Sequence, residues 1–182
     1  MEDQYFVRVN SILDDLGATI EVSDEFPLEK FVVGDEVFVP TSPVRFDLWL
    51  THTGTSVVSG GRAVMDVLAT CSRCLCEFPL TIEGEIDGFY VRHGWEEGIP
   101  EDQEYEYIDA EGDVDIMPSV IAALVLEAPF APVHDEECAG LCVTCGADLN
   151  AGPCSCEEAV ADDNPFSALG ALLTDGVTEE DS

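Results

Sequence analysis

VRFDLWL, residues 44–50, is the stretch on which the fold turns. Val44, Phe46, Leu48 and Leu50 alternate with Arg45, Asp47 and Trp49, which is the period of a strand with one buried face. RAVMDVLAT, from Arg62 to Thr70, predicts a second strand carrying Val64, Val67 and Leu68, with a turn region at Ser59 to Gly61 before it. The two together predict a hairpin. Farther on, Phe78, Leu80, Ile82, Ile86 and Tyr90 keep one parity across two glycines, predicting a long strand with bends or bulges at Gly84 and Gly88. Phe31 to Pro40 supplies another expected pair around Gly34 and Asp35.

The period then changes. Ile116, Val120, Ile121, Leu124 and Val125 have helical spacing, with Asp115 as the expected cap and Pro118 tolerated in the first turn. Pro129 and Pro132 stop this helix, expected over Met117 to Leu126. Before it, Glu96 to Asp115 holds ten acidic residues, no basic ones, and Gly98, Pro100 and Gly112, and so predicts a solvated loop. Near the end, Asn164 and Pro165 precede Phe166, Leu169, Leu172 and Leu173, the spacing of a short amphipathic helix. The pattern predicts an α+β fold: a mainly antiparallel β-sheet, one buried helix and a short C-terminal zinc-binding segment. Its expected divisions are a core domain over 1–130, a cysteine-rich segment over 131–160, and a helix with an acidic tail over 161–182.

Charge restricts the function classes. Of 182 residues 39 are acidic and 6 basic, a net charge of −33, and no Lys or Arg follows Arg92. Nucleic-acid affinity comes largely from cationic side chains that neutralise phosphates, so this surface predicts repulsion from RNA and anionic membranes, and attraction to basic proteins. A direct RNA contact would require Arg8, Lys30, Arg45, Arg62, Arg73 and Arg92 to gather on one face. The first residues have neither the basic start nor the apolar run of a secretory signal, and Ile116 to Leu126 is too short to span a bilayer, so the expected location is the cytoplasm.

In that reducing compartment eight cysteines are thiols available to metals rather than a disulfide framework. Cys142 and Cys145 are two residues apart and followed by Gly146, a turn in which two thiolates can face one ion. Cys154 and Cys156 complete a set of four soft ligands, which closes a tetrahedron and predicts structural zinc. Cys71 and Cys74 form a second pair, for which Cys138 and His134 are the available partners; two sites, or one composite site, both satisfy the spacing. Cys76 is left spare, and His52 and His93 have no ligand pattern.

No phosphate-cradling glycine loop, Ser–His–Asp signature or two-histidine helix motif is present, so no catalytic residue is assigned and the protein is expected not to be an enzyme. The competing class is a thiol redox or metal-delivery protein using Cys71 and Cys74. Such a pair usually opens a helix, whereas here a strand follows.

Four stretches, in order, are similar to the YceD family of bacteria and plastids, the large ribosomal RNA subunit accumulation proteins: CSRCLCEF from Cys71, DVDIMPSVIAALVLEAPFAPVHDEEC, CAGLCVTCGADLN from Cys138, and NPFSALGALL. The resemblance runs from about Val44 to Leu173. It implies a non-catalytic role in accumulation of large-subunit (23S) ribosomal RNA and in ribosome assembly. Family members often lie beside the gene for a zinc-ribbon protein of the large subunit. By resemblance Cys142 and Cys145 match the family's most typical pair, some members keep only a pair like Cys71 and Cys74, and His134 stands where members carry Cys. Combined with the charge, this implies indirect RNA contact through a basic ribosomal protein or assembly factor.

Overall fold

The computed structural model describes residues 4–156. The chain divides into two compact units, one ending at Cys138 and the next beginning at Ala139.

The first unit is mostly antiparallel sheet with one helix. Its strands are β1 (Phe6–Arg8), β2 (Thr19–Phe26), β3 (Phe31–Val33), β4 (Glu36–Pro40), β5 (Val44–His52), β6 (Ser56–Thr70), β7 (Glu77–Arg92), β8 (Glu106–Ile108) and β9 (Asp113–Asp115), followed by helix α1 (Met117–Glu127). β6 pairs with β7 along its whole length on one edge, and with β5 and then β4 along the other; β2 extends β5 and β3 extends β4. β8 joins β7 in parallel, and β1 and β9 form a separate two-stranded sheet.

The alternation in β5 reads directly as burial. Val44, Phe46, Leu48 and Leu50 are buried, as are Ala63, Met65 and Val67 of β6 and Ile82, Ile86 and Tyr90 of β7, on the face against which α1 packs. The helix contributes Met117, Val120, Ala123 and Leu124 to this core. Each large apolar side chain removed from water contributes about 1.5–3 kcal/mol, which is why this one face dictates the register.

Four expectations change. The turn before β6 lies near Thr53 and Gly54, while Ser59 to Gly61 belong to the strand. Glycine is needed there for close approach: a Cβ on Gly60 would lie 2.4 Å from the Trp49 ring, and one on Gly61 2.2 Å from the Asp47 carbonyl. Nor do Gly84 and Gly88 form bulges, because the register from Ser56↔Val91 to Thr70↔Glu77 is unbroken. Gly84 instead admits the helix, its absent Cβ falling 2.1 Å from the Ala123 carbonyl oxygen.

The acidic stretch is not all loop either. Tyr107 pairs with Val91, and Val114 pairs with Val7, so it contains β8 and β9. These strands have too few residues to display a period. Finally, Asp115 is one residue before the helix cap: Ile116 is the cap, with no side-chain capping bond, while the Asp115 carboxylate accepts from the amides of Tyr5 and Met117. Among the described residues no helix is long and apolar enough to cross a membrane. The helix expected at Asn164 to Leu173 and the acidic tail lie outside the described residues.

Candidate metal centres

The segment after β6 turns sharply at Cys71-Ser72-Arg73-Cys74. The Leu75 amide donates to the Cys71 carbonyl at 2.8 Å, the Cys71 amide donates to the Cys76 carbonyl at 2.8 Å, and Leu75 adopts φ +61° to close the loop. The same construction recurs in the second unit. There Gly146, at φ +70°, donates to the Cys142 carbonyl and the Cys142 amide donates to the Ala147 carbonyl, both at 2.8 Å. Both turns direct two sulfurs to one side and leave backbone amides free to support them.

The first turn is fastened to the segment after α1. Ser72 donates through both its amide and its hydroxyl to the Pro132 carbonyl, and Arg73 Nη1 donates to the carbonyls of Glu136 and Cys138 at 2.8 and 3.1 Å. These bonds bring His134 and Cys138 onto the cysteine pair. His134 Nδ1 lies 3.4 Å from the sulfurs of both Cys71 and Cys74, and Cys71 Sγ lies 3.9 Å from Cys138 Sγ. The ring of Phe78 meets the His134 ring edge-on, 6.3 Å between centroids.

The four donor atoms of Cys71, Cys74, His134 and Cys138 all lie within 4.8 Å of one another, and so do those of Cys142, Cys145, Cys154 and Cys156. Each set belongs to one unit. Around a tetrahedral ion with metal–sulfur bonds of about 2.3 Å and metal–nitrogen bonds of about 2.0 Å, two sulfurs stand about 3.8 Å apart and sulfur and nitrogen about 3.5 Å. The Cys71–Cys138 distance of 3.9 Å and the two His134–sulfur distances of 3.4 Å match that geometry. Either cluster can hold a metal ion. No disulfide joins any of the cysteines.

The electrostatics favour ligation. Burial pushes the Cys71 thiol up, but the His134 ring and the amides of His134, Cys74 and Arg73 outweigh it and bring its pKa down to about 5. At Cys74 the Cys76 amide pulls downward, while burial and the neighbouring thiols of Cys76 and Cys71 leave the value raised. In the second cluster the amides of Cys145 and Thr144 bring Cys142 down to about 6, whereas the Cys145 thiol, with burial, pushes Cys156 up to about 12. Each set thus contains one thiol already poised as a thiolate, the form that binds metals.

The second unit is organised around this cluster. Asp148 caps the short 3-10 turn Leu149–Ala151, accepting from the Asn150 amide, and Asn150 Oδ1 accepts from the Ala139 amide at 2.8 Å. A bridge between Leu141 and Asp148 and a 2.9 Å bond from the Leu149 amide to the Gly140 carbonyl complete it.

The remaining histidines have other partners. His52 places its ring nitrogens on the carbonyls of Asp15 and Gly54, and His93 stacks on Tyr107 at 3.9 Å. Cys76, which the sequence leaves spare, lies outside both donor sets, with its sulfur 3.2 Å from that of Cys74. The clamp by Ser72 and Arg73 had no signal, since it depends on where the chain returns after α1.

Comparison with known proteins gives a consistent result. The family described as large ribosomal RNA subunit accumulation protein YceD matches residues 60–173. An uncharacterized protein of Mycobacterium leprae is 24% identical over 112 residues, covering 62% of this chain and 52% of its own. Uncharacterized proteins of Mycobacterium bovis and Mycobacterium tuberculosis are each 28% identical over 109 residues, covering 59% of this chain and 52% of their own. The chain therefore spans about half the length of the curated relatives it matches. No solved structure matches.

Proposed function

The chain belongs to the YceD family, and from that premise we propose that it is a non-enzymatic ribosome-assembly factor supporting accumulation of large-subunit (23S) ribosomal RNA through a basic protein partner. Zinc has a structural role in this reading. Cys71, Cys74, His134 and Cys138 hold one ion, and Cys142, Cys145, Cys154 and Cys156 hold another. Bound zinc supplies cross-links between segments with little apolar core of their own. Four protein ligands fill its tetrahedron, so neither centre offers a position for substrate or activated water.

The observation that carries the indirect contact with RNA is the arrangement of charge. Against a net charge of −33 there are six cationic side chains, and most are already engaged. Arg8 pairs with Asp113 at 2.8 Å, Arg45 with Asp66 at 3.3 Å, Arg62 with Glu83 at 3.0 Å, and Arg73 donates to backbone carbonyls. Such exposed pairs stabilise the fold by at most about 1 kcal/mol each, yet each reduces the cation available to a phosphate. An anionic surface instead accelerates encounter with a basic ribosomal protein or assembly factor, an attraction screened beyond about 8 Å at physiological ionic strength.

Affinity capture from lysate at low and high salt tests this reading. The expected result is a basic protein retained at low salt and released at high salt, with RNA present only when that protein is. Recovery of RNA alone would sink it.

The alternative, a redox or metal-delivery protein using Cys71 and Cys74, has support from the lowered Cys71 thiol. The turn that carries the pair runs into β7 rather than a helix, which favours ligation. Metal analysis with thiol counting separates the two: a metal-free protein cycling between dithiol and disulfide would establish the alternative.

A further inference from the structure

The first centre has one donor more than a tetrahedral ion uses. Cys76 Sγ lies 3.2 Å from Cys74 Sγ. With a zinc–sulfur bond of about 2.3 Å at Cys74, Cys76 Sγ lies within about 5.5 Å of the ion, about 3 Å or less from bonding distance. Its backbone is already fixed there, since the Cys76 carbonyl accepts from the Cys71 amide.

The turn itself does not require a thiol at this position. In the second turn Ala147 occupies the equivalent place and its carbonyl makes the same bond to the Cys142 amide. Cys76 is exposed and takes no part in the core. His134 is the single nitrogen donor among three sulfurs, and it is exposed on a segment outside regular structure. Zinc accepts imidazole and thiolate alike, so three cysteines with a histidine, or four cysteines, both complete its shell.

Resting on the zinc reading above, we propose that Cys76 is a reserve ligand of this centre, exchanging with His134 at the fourth position. In the exchange the Cys76 thiol gives its proton to solvent as its sulfur–zinc bond forms, and the bond from zinc to the His134 nitrogen breaks. No electron is transferred. The His134 shell is the resting one and the Cys76 shell stands in reserve, so the ion can change ligands without losing a coordination position.

Cobalt substitution in the full chain reads this out, because the intensity of sulfur-to-cobalt charge transfer counts thiolates. The wild type is expected to bind two cobalt ions with seven thiolates' worth of absorbance. His134→Ala is expected to retain both ions and gain one thiolate's worth, matching the spectrum of His134→Cys. The double variant His134→Ala/Cys76→Ser is expected to keep only the ion of the second cluster. Loss of the first ion from His134→Ala alone, with His134→Cys still binding two, overturns the proposal. So does loss of one thiolate's absorbance in Cys76→Ser alone, which would make Cys76 a resident ligand. A wild-type chain that binds no cobalt overturns the metal reading itself, a different result from either.

Discussion

Leu75 holds in the first cysteine turn the place that Gly146 holds in the second: φ is +61° at one and +70° at the other, and each amide donates 2.8 Å to the carbonyl of the first cysteine of its pair. A side chain in the left-handed region costs about 1–3 kcal/mol unless its surroundings compensate, and Leu75 is 64% exposed, with little burial to do so. Leu75→Gly is therefore expected to stabilise the protein by about 1 kcal/mol, after the larger backbone entropy of glycine is offset. Chemical denaturation checks it, and a destabilised variant would show that Leu75 contributes an unrecognised contact. Gly146→Ala is expected to act in the opposite sense.

Metal removal should reveal the division of thiols. In the metal-loaded chain Cys76 is the one cysteine outside the two donor sets, so one thiol per chain is expected to react readily with a chromogenic disulfide. Chelation under denaturing conditions should release two ions and expose all eight thiols. Eight reactive thiols before chelation would contradict closed centres.

The metal-free protein should lose stability as pH falls, through Cys71. The folded value of this thiol, about 5, lies below its ordinary value of 9.0, so its contribution is complete above about pH 9. It declines across the interval and is gone below about pH 5, because there the folded and unfolded forms bind the same proton. Thermal melts of the metal-free wild type and Cys71→Ser across this range should converge at low pH. A difference that does not change with pH counts against the thiolate.

The packing of α1 on the sheet makes Gly84 a sensitive position. A methyl group there meets the Ala123 carbonyl oxygen at 2.1 Å, backbone that cannot rotate away. Gly84→Ala is expected to cost about 1–3 kcal/mol by overpacking, measured as a lower urea midpoint. The same substitution at Gly34, where φ is +61° but no atom lies within 4 Å, should cost only its backbone strain.

The hairpin core was legible in the sequence because a period of two over seven residues survives any tertiary context in which one face is buried. β8 and β9 were not, since Glu106–Ile108 and Asp113–Asp115 are too short to show a period, and β9 owes its pairing to β1 at the other end of the unit. The same contrast governs the glycines. Composition identified Gly84 and Gly88 as special, but only the partner across the sheet face showed that they make room rather than bend the strand.

By itself the sequence determined the chemical character of this protein: an acidic surface, a buried sheet face and thiols in pairs suited to metal. Those properties follow from side-chain type and local spacing. Tertiary structure decided which donors meet. Arg73 and Ser72 tie the first turn to residues beyond α1, bringing His134 and Cys138 onto Cys71 and Cys74 across about sixty intervening residues. Local spacing cannot encode that meeting, because it depends on where the helix returns the chain.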